Sequence, residues 1–277
     1  MGALMRFLAL NFPAIDPVAL SLGPFAIKWY GLAYVAGLLL GWLYIKQLVS
    51  DGRLWAGGKA PITRDAVDDL FLWVALGVVL GGRIGNVLLY DAGYYLSHPL
   101  EILQIWKGGM AFHGGMLGVV VAAWLFGRRY NVKPLTIMDL TAAAVPFGLF
   151  FGRIANFINA EVVGRESNVP WAMPFPGYGP NPRHPSQLYE AVLEGLVLAL
   201  ILRWLTHSKG ALARPGLVGG SFLAGYGLFR IVCEMFKHDE YRAILGSLPV
   251  TSGMAYCIPM VIAGWLLIRN ARAAQAA

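Results

Sequence analysis

The chain has 277 residues, of which 57% are hydrophobic and only 13% are charged. A soluble protein of this length needs many more charged surface residues, so the composition favours an integral membrane protein in direct contact with membrane lipids. The net charge of +7 comes mainly from basic residues between long apolar runs. These residues form no stripe typical of nucleic-acid binding, and we expect no nucleic-acid partner.

The N-terminal residues do not have the pattern of a cleavable signal peptide. The apolar stretch after Arg6 is short, and Pro13, Asp16 and Pro17 interrupt the next part of the chain. A short segment that rests on the membrane surface fits this pattern better.

Runs of about twenty apolar residues predict an all-α, polytopic membrane protein with seven transmembrane helices. We expect one integral membrane domain over residues 1–277. The predicted spans are residues 26–48, 69–90, 110–127, 136–158, 188–206, 216–236 and 250–268.

Lys and Arg residues beside the spans predict the orientation. They concentrate in alternate connections and in the C-terminal tail, which should therefore be cytoplasmic. The N-terminus should lie on the opposite, outer side of the membrane. The basic residues are Lys46, Arg53, Lys59, Arg64, Arg128, Arg129, Lys133, Arg203, Lys209, Arg214, Arg269 and Arg272.

The connection over residues 159–187 is the longest on the predicted outer side. Its prolines and glycines exclude a regular helix. We expect a small irregular cap over the outer face within the single domain.

Arg153 is the first candidate site residue, because an ionisable residue within a span costs a few kcal/mol unless it is paired or reaches water. It follows Asp139 by fourteen residues, about 21 Å along a helix, which places it near the outer headgroups. Asn156 shares its helical face. If the helix persists, Ala160 and Gly164 continue this face with small side chains that let a lipid approach.

The predicted sixth span contains a similar polar stripe. Tyr226, Arg230 and Glu234 follow each other at a spacing of four residues. The stripe forms either an intrahelical Arg–Glu pair that hides charge or a functional site. Two guanidinium groups near the outer ends of separate helices favour an anionic lipid headgroup as ligand, since each offers a planar fork of donors to a phosphate diester.

Two further candidates lie at the starts of spans. His113 is either a structural histidine or, because Gly114 and Gly115 follow it and permit close approach, a proton-transfer group. Tyr30 is either an interfacial aromatic anchor or part of the site.

Familiar nucleotide, zinc and serine-hydrolase motifs are absent from the sequence. The remaining histidines have no metal-ligand spacing, so we expect no metal and no cofactor. Cys233 and Cys257 lie in apolar segments and are interpreted as packing residues.

One internal similarity links residues 82–86 (Gly-Arg-Ile-Gly-Asn) with residues 152–156 (Gly-Arg-Ile-Ala-Asn). It is either a trace of an ancestral repeat or a chance match in a Gly-rich chain.

The stretch from residue 152 to residue 164 reads Gly-Arg-Ile-Ala-Asn-Phe-Ile-Asn-Ala-Glu-Val-Val-Gly. It resembles the signature of prolipoprotein diacylglyceryl transferases at every specified position. Residues 28–32, 108–115, 184–190 and 226–230 also resemble segments of this family.

The resemblance implies seven spans in the cytoplasmic (inner) membrane of a bacterium, with the N-terminus and the cap periplasmic. It also implies transfer of sn-1,2-diacylglycerol from phosphatidylglycerol to the lipobox cysteine in the signal peptide of a preprolipoprotein, with release of glycerol 1-phosphate. It implies that Arg153 binds phosphatidylglycerol and that Arg230 and His113 are essential. Tyr30, Asn156 and Gly164 match further positions that the family needs.

We expect the peptide thiolate to attack the glyceryl carbon directly while the two arginines stabilise the phosphate. His113 is the first candidate base, and Glu161 or Glu234 the second. In addition to the arginines and the candidate bases, we expect a further set of residues to bind substrate: Tyr30, Asn156, Asn159, Gly164, Tyr226 and Glu234. The alternatives are an anionic-solute transporter or channel, lined by Arg83, Arg153 and Arg230, and a non-catalytic membrane assembly factor.

Overall fold

A computed structural model describes residues 10–23, 25–105, 108–238 and 251–276. Helix accounts for 70% and strand for 5%, so the prediction of a helical protein is confirmed apart from one hairpin. Strands β1 (Val18–Leu22) and β2 (Phe25–Lys28) pair antiparallel. The first predicted span begins too early, since its residues 26–28 are strand. Part of the predicted surface segment lies outside the described residues.

Seven long helices of the described chain match the seven predicted spans in position. Each begins and ends within a few residues of its prediction, except that the last continues further. They are α1 (Trp29–Ser50), α2 (Ala66–Leu89), α3 (Phe112–Arg129), α4 (Pro134–Ile158), α5 (in the consecutive pieces Ser186–Glu190, Ala191–Val197 and Leu198–Ser208), α6 (Leu217–Glu234) and α7 (Ser252–Ala276).

Five of these helices, α1, α2, α4, α6 and α7, are long and apolar enough to cross a membrane. Helix α3 has 18 residues and ends in Arg128 and Arg129. Helix α5 is divided by the π-helical stretch Ala191–Val197. Seven crossings therefore remain a prediction.

The helices run alternately in opposite directions, and glycines permit their closest approaches. A Cβ on Gly85 of α2 would lie 2.6 Å from the Cα of Gly114 on α3, and one on Gly81 would lie 2.8 Å from the Cα of Gly118. These pairs show that α2 and α3 are antiparallel with their backbones in contact, as small residues allow in membrane bundles.

Most of the large buried apolar side chains lie at one end of the bundle, where α1 ends and α2 begins. We call it the basic end, because the twelve basic residues that predict the orientation lie on helices or connections there. The opposite end is called the site end. Fully buried side chains of the basic end include Leu48, Leu70, Phe126, Leu140 and Leu202.

Residues 159–185 connect α4 to α5 at the site end. The structure describes every one of them and shows no helix there, which confirms that the prolines exclude one. Isolated bridges hold the segment together, and Val163, Met173 and Phe175 form a small apolar cluster.

We predict that Gly118→Ala destabilises the protein, because its Cβ would collide with the carbonyl of Gly77. Overpacking of this kind costs about 1–3 kcal/mol. Thermal unfolding in detergent micelles measures the loss. Gly93→Ala is the control, since a Cβ there meets open space; equal behaviour of both variants would contradict the packing assignment.

Candidate functional site

Glu190 of α5 joins the two candidate arginines. Its carboxylate is 0% exposed and lies 3.0 Å from Arg153 Nε, 2.6 Å from Arg230 Nη1 and 2.8 Å from Lys237 Nζ. The Arg153 contact is an ion pair without hydrogen-bond alignment, whereas Arg230 donates a hydrogen bond. Side chains from α4 and α6 therefore meet at one carboxylate from α5.

Glu194 lies one turn further along α5 and is also 0% exposed. Its oxygens are 3.6 Å from Arg153 Nη2 and from Arg230 Nη1, and neither has a hydrogen-bond partner among the described residues. It belongs to the π-helical stretch Ala191–Val197. π-Helical stretches are rare in proteins, and those that occur are often at functional sites.

Glu234 forms the predicted intrahelical pair with Arg230, at 2.6 Å from Arg230 Nη2. The Thr251 hydroxyl donates to its other oxygen at 3.0 Å, and Lys237 Nζ lies 3.4 Å away. Glu234 is therefore buried and fully engaged.

The cluster contains three cations, Arg153, Arg230 and Lys237, and three carboxylates. Buried charges are tolerated only when they are paired in this way. The side chains of Arg153 and Arg230 remain 19% and 17% exposed, whereas those of Glu190 and Glu194 are 0% exposed. The two carboxylates are thus more deeply buried than the two arginine side chains, which stay partly accessible.

Asn156 connects Arg153 to Glu161. Its Oδ1 accepts from Arg153 Nη1 at 3.5 Å, and its Nδ2 donates to Glu161 Oε2 at 3.2 Å. Gln187 Nε2 donates to the Glu161 backbone carbonyl at 2.5 Å. The signature residues therefore form one hydrogen-bonded chain that ends at the exposed Glu161 side chain.

The expectation that Ala160 and Gly164 continue the helical face of Arg153 is wrong. Helix α4 ends at Ile158, Asn159 caps it, and Ala160 and Val162 have positive φ values that turn the chain away.

Gly164 lies instead between two backbone segments. Its N–H donates to the His184 carbonyl at 3.1 Å, and a Cβ would lie 2.5 Å from that oxygen and 2.6 Å from the Phe236 carbonyl. Only glycine fits this gap, which indicates a structural need at this position.

The two candidate tyrosines differ in how closely they approach the cluster. Gly37 of α1 packs against Gly148 of the antiparallel α4, so Tyr30 lies at about the height of Arg153, towards the site end. Tyr30 accepts a hydrogen bond from the Tyr34 hydroxyl at 3.5 Å. Tyr226 of α6 stacks on Phe222 and interacts electrostatically with Glu194.

His113 lies at the start of α3 and is exposed. Its ring is edge-on to Tyr256 of α7, with centroids 5.7 Å apart. Gly227 of α6 packs against the neighbouring residue Cys257. His113 therefore lies beside α7, which packs against the Arg230 helix α6, and its described ring contact is with α7.

Arg83 has a different role from Arg153 despite the similar sequence around it. It is 4% exposed and donates to the backbone carbonyls of Ile102, Gly108 and Glu101 at 2.8, 2.6 and 2.5 Å. It holds the connection between α2 and α3, and these contacts do not place it in the cluster.

Glu190, Glu194 and Lys237 were missed as site residues. The rule that marks an ionisable residue within a span applies to both glutamates and would have found them. Lys237 lies one residue beyond the predicted sixth span. Among the described residues, no group of three or more metal-ligand side chains fits a metal ion; Cys233 and Cys257 are buried.

We predict that Glu190→Gln lowers the free energy of unfolding by about 3–5 kcal/mol, because it leaves buried cations without their shared partner. Unfolding in mixed micelles measures the change. Glu166→Gln is the control, since its side chain is 53% exposed and its pair with Arg183 is worth little. Similar stability of the two variants would contradict the role of Glu190.

The model of the prolipoprotein diacylglyceryl transferase family matches residues 17–269. Proteins named phosphatidylglycerol–prolipoprotein diacylglyceryl transferase are similar over nearly their whole length. The relative in Rhizobium meliloti is 50% identical, with 98% of each chain covered. The relative in Rhodopseudomonas palustris is 52% identical, with 99% of this chain and 97% of its own covered.

Proposed function

Because the chain belongs to the prolipoprotein diacylglyceryl transferase family, we propose that the Arg153–Arg230 cluster is its active site. The enzyme transfers the diacylglyceryl group of phosphatidylglycerol to a preprolipoprotein, the first step of lipoprotein maturation. One observation carries the assignment of the site. Arg153 and Arg230 share a buried carboxylate, and their side chains stay 19% and 17% exposed.

The partly exposed side chains of Arg153 and Arg230 suit the phosphate diester of phosphatidylglycerol. Glu190 holds Nε of Arg153 and Nη1 of Arg230, and Glu234 holds Nη2 of Arg230. The side chains are thereby oriented before the lipid arrives. Preorganised donors of this kind stabilise the charge that develops in a transition state, especially where little water is present.

The reaction is a direct displacement. The sulfur of the lipobox cysteine forms a bond to the glyceryl carbon that bears the phosphate ester, and the carbon–oxygen bond to phosphate breaks. The electron pair of that bond leaves with glycerol 1-phosphate, whose charge Arg153 and Arg230 stabilise. The thiol proton passes to a base, because the thiolate is the attacking form.

His113 and Glu161 are the accessible candidates for this base, since both side chains are exposed. Glu161 is connected to Arg153 through Asn156. Glu234 is 4% exposed and bound to Arg230 and Thr251. We therefore propose that Glu234 orients Arg230 and that the base is His113 or Glu161.

The site end should face the periplasm, with the N-terminus, and the basic end and C-terminus should face the cytoplasm. The location of the basic residues supports this orientation. Phosphatidylglycerol and the signal peptide then reach the site from the outer leaflet, under residues 159–187 as a periplasmic cap. With α3 and α5 included, the protein crosses the membrane seven times.

A transporter for anionic solutes is less well supported. It required Arg83 to line the same path as Arg153 and Arg230, but Arg83 is buried and donates to the backbone carbonyls of the connection between α2 and α3. The named relatives are transferases, which also disfavours a non-catalytic assembly factor.

We predict that Arg153→Lys lowers the transfer rate by about 10²–10³-fold, because an ammonium group cannot reproduce the fork that binds Glu190 and a phosphate together. Lipidation of a lipobox peptide by purified protein in phosphatidylglycerol vesicles measures the rate. Arg129→Lys is the control, since Arg129 is an exposed residue at the basic end. Near-full activity of Arg153→Lys would exclude Arg153 from the site.

We predict that Cys233→Ser remains active, because the nucleophile belongs to the peptide and Cys233 is 0% exposed. The same assay measures this, together with mass spectrometry of the enzyme. If Cys233→Ser is inactive and the wild-type enzyme carries a lipid adduct on Cys233, the transfer is not direct and passes through an enzyme-bound intermediate.

A further inference from the structure

Asp139 links α4 to α6 at the basic end. Its side chain is 1% exposed, and its two oxygens accept the backbone N–H groups of Gly216 and Gly219, each at 2.7 Å. These N–H groups belong to the beginning of α6, where a helix has no partners of its own for its first donors. A carboxylate there is also favoured by the helix dipole.

The local sequence is adapted to this contact. Gly216 has a φ of +93°, which other residues rarely adopt. A Cβ on Gly219 would lie 3.2 Å from Asp139 Oδ1. The two glycines therefore let the beginning of α6 close around the carboxylate.

The spacing from this contact to the cluster is the same on both helices. Arg153 follows Asp139 by fourteen residues, and Arg230 follows Gly216 by fourteen residues. The two helices run in parallel from the Asp139 contact to Glu190, so each arginine lies about 21 Å from the basic-end contact. Because α4 and α6 are aligned at the Asp139 contact, Arg153 and Arg230 lie at the same height near Glu190.

We infer that Asp139 is a positioning residue that sets the axial register of α6 against α4, so that both guanidinium groups reach one phosphate. Apolar packing between helices is non-directional, whereas two hydrogen bonds to one carboxylate fix α6 along its axis. This inference rests on the proposed function of the arginine pair. It assigns to a residue at the opposite end of the bundle a role in the geometry of the reaction.

The first test compares Asp139→Ala with Asp139→Asn in the peptide-lipidation assay. Asp139→Ala should lower kcat by about 10²-fold, as small misplacements of catalytic groups do, with KM for the peptide nearly unchanged. Asp139→Asn keeps one acceptor oxygen and should recover part of the rate. Tyr44→Phe is the control, since it removes a basic-end hydrogen bond between α1 and α5, to Thr206, and should stay within about twofold of wild type by the same reasoning.

The second test measures the register itself. Spin labels at Val145 on α4 and Leu228 on α6, both exposed, report the distance between the helices in a variant with both native cysteines replaced by alanine. The two labels lie at different heights along the helices, so in Asp139→Ala a slide of α6 by one residue, about 1.5 Å, should change this distance by up to that amount. An unchanged distance, or a rate that falls only with the folded fraction, overturns the inference.

The two tests separate this inference from the site assignment. If Arg153→Lys keeps its activity, the site assignment fails while the label distances still report on the register. If Arg153→Lys is inactive and Asp139→Ala has wild-type kcat, only the positioning role of Asp139 is refuted.

Discussion

The interaction on which the site depends is the shared carboxylate of Glu190. It binds Arg153 from α4, Arg230 from α6 and Lys237 just beyond α6. None of these charges is stable alone in a buried setting. Helices α4, α5 and α6 must therefore pack together for the cluster to form. The cluster is complete within the protein itself, and its geometry therefore exists before any lipid binds.

Packing contacts outside the cluster also position the residues of the site. Gly37 and Gly148 bring α1 against α4, which raises Tyr30 to the height of Arg153. Beyond the end of α4, the chain turns at Ala160 and passes between neighbouring backbones at Gly164. The larger cluster of buried apolar side chains lies at the basic end, where it packs the ends of the helices against one another.

The positions of the helices were predictable because hydrophobic length determines them directly. The Arg230–Glu234 pair was predictable because both residues lie on one helix. The partners of Arg153 were not, because contacts between helices depend on rotations that one sequence does not reveal. The end of α4 was missed since Ala160 and Val162, which adopt positive φ, are not residues that signal such a turn.

The formal charges of the cluster sum to zero, since three basic groups face three carboxylates. A phosphate diester that joins them makes the assembly negative, so net attraction cannot be what selects the lipid. Recognition must come from directed donors at short range, which dissolved ions screen weakly. Lipid affinity should therefore change little with ionic strength, unlike that of surfaces that gather anionic lipids through excess positive charge.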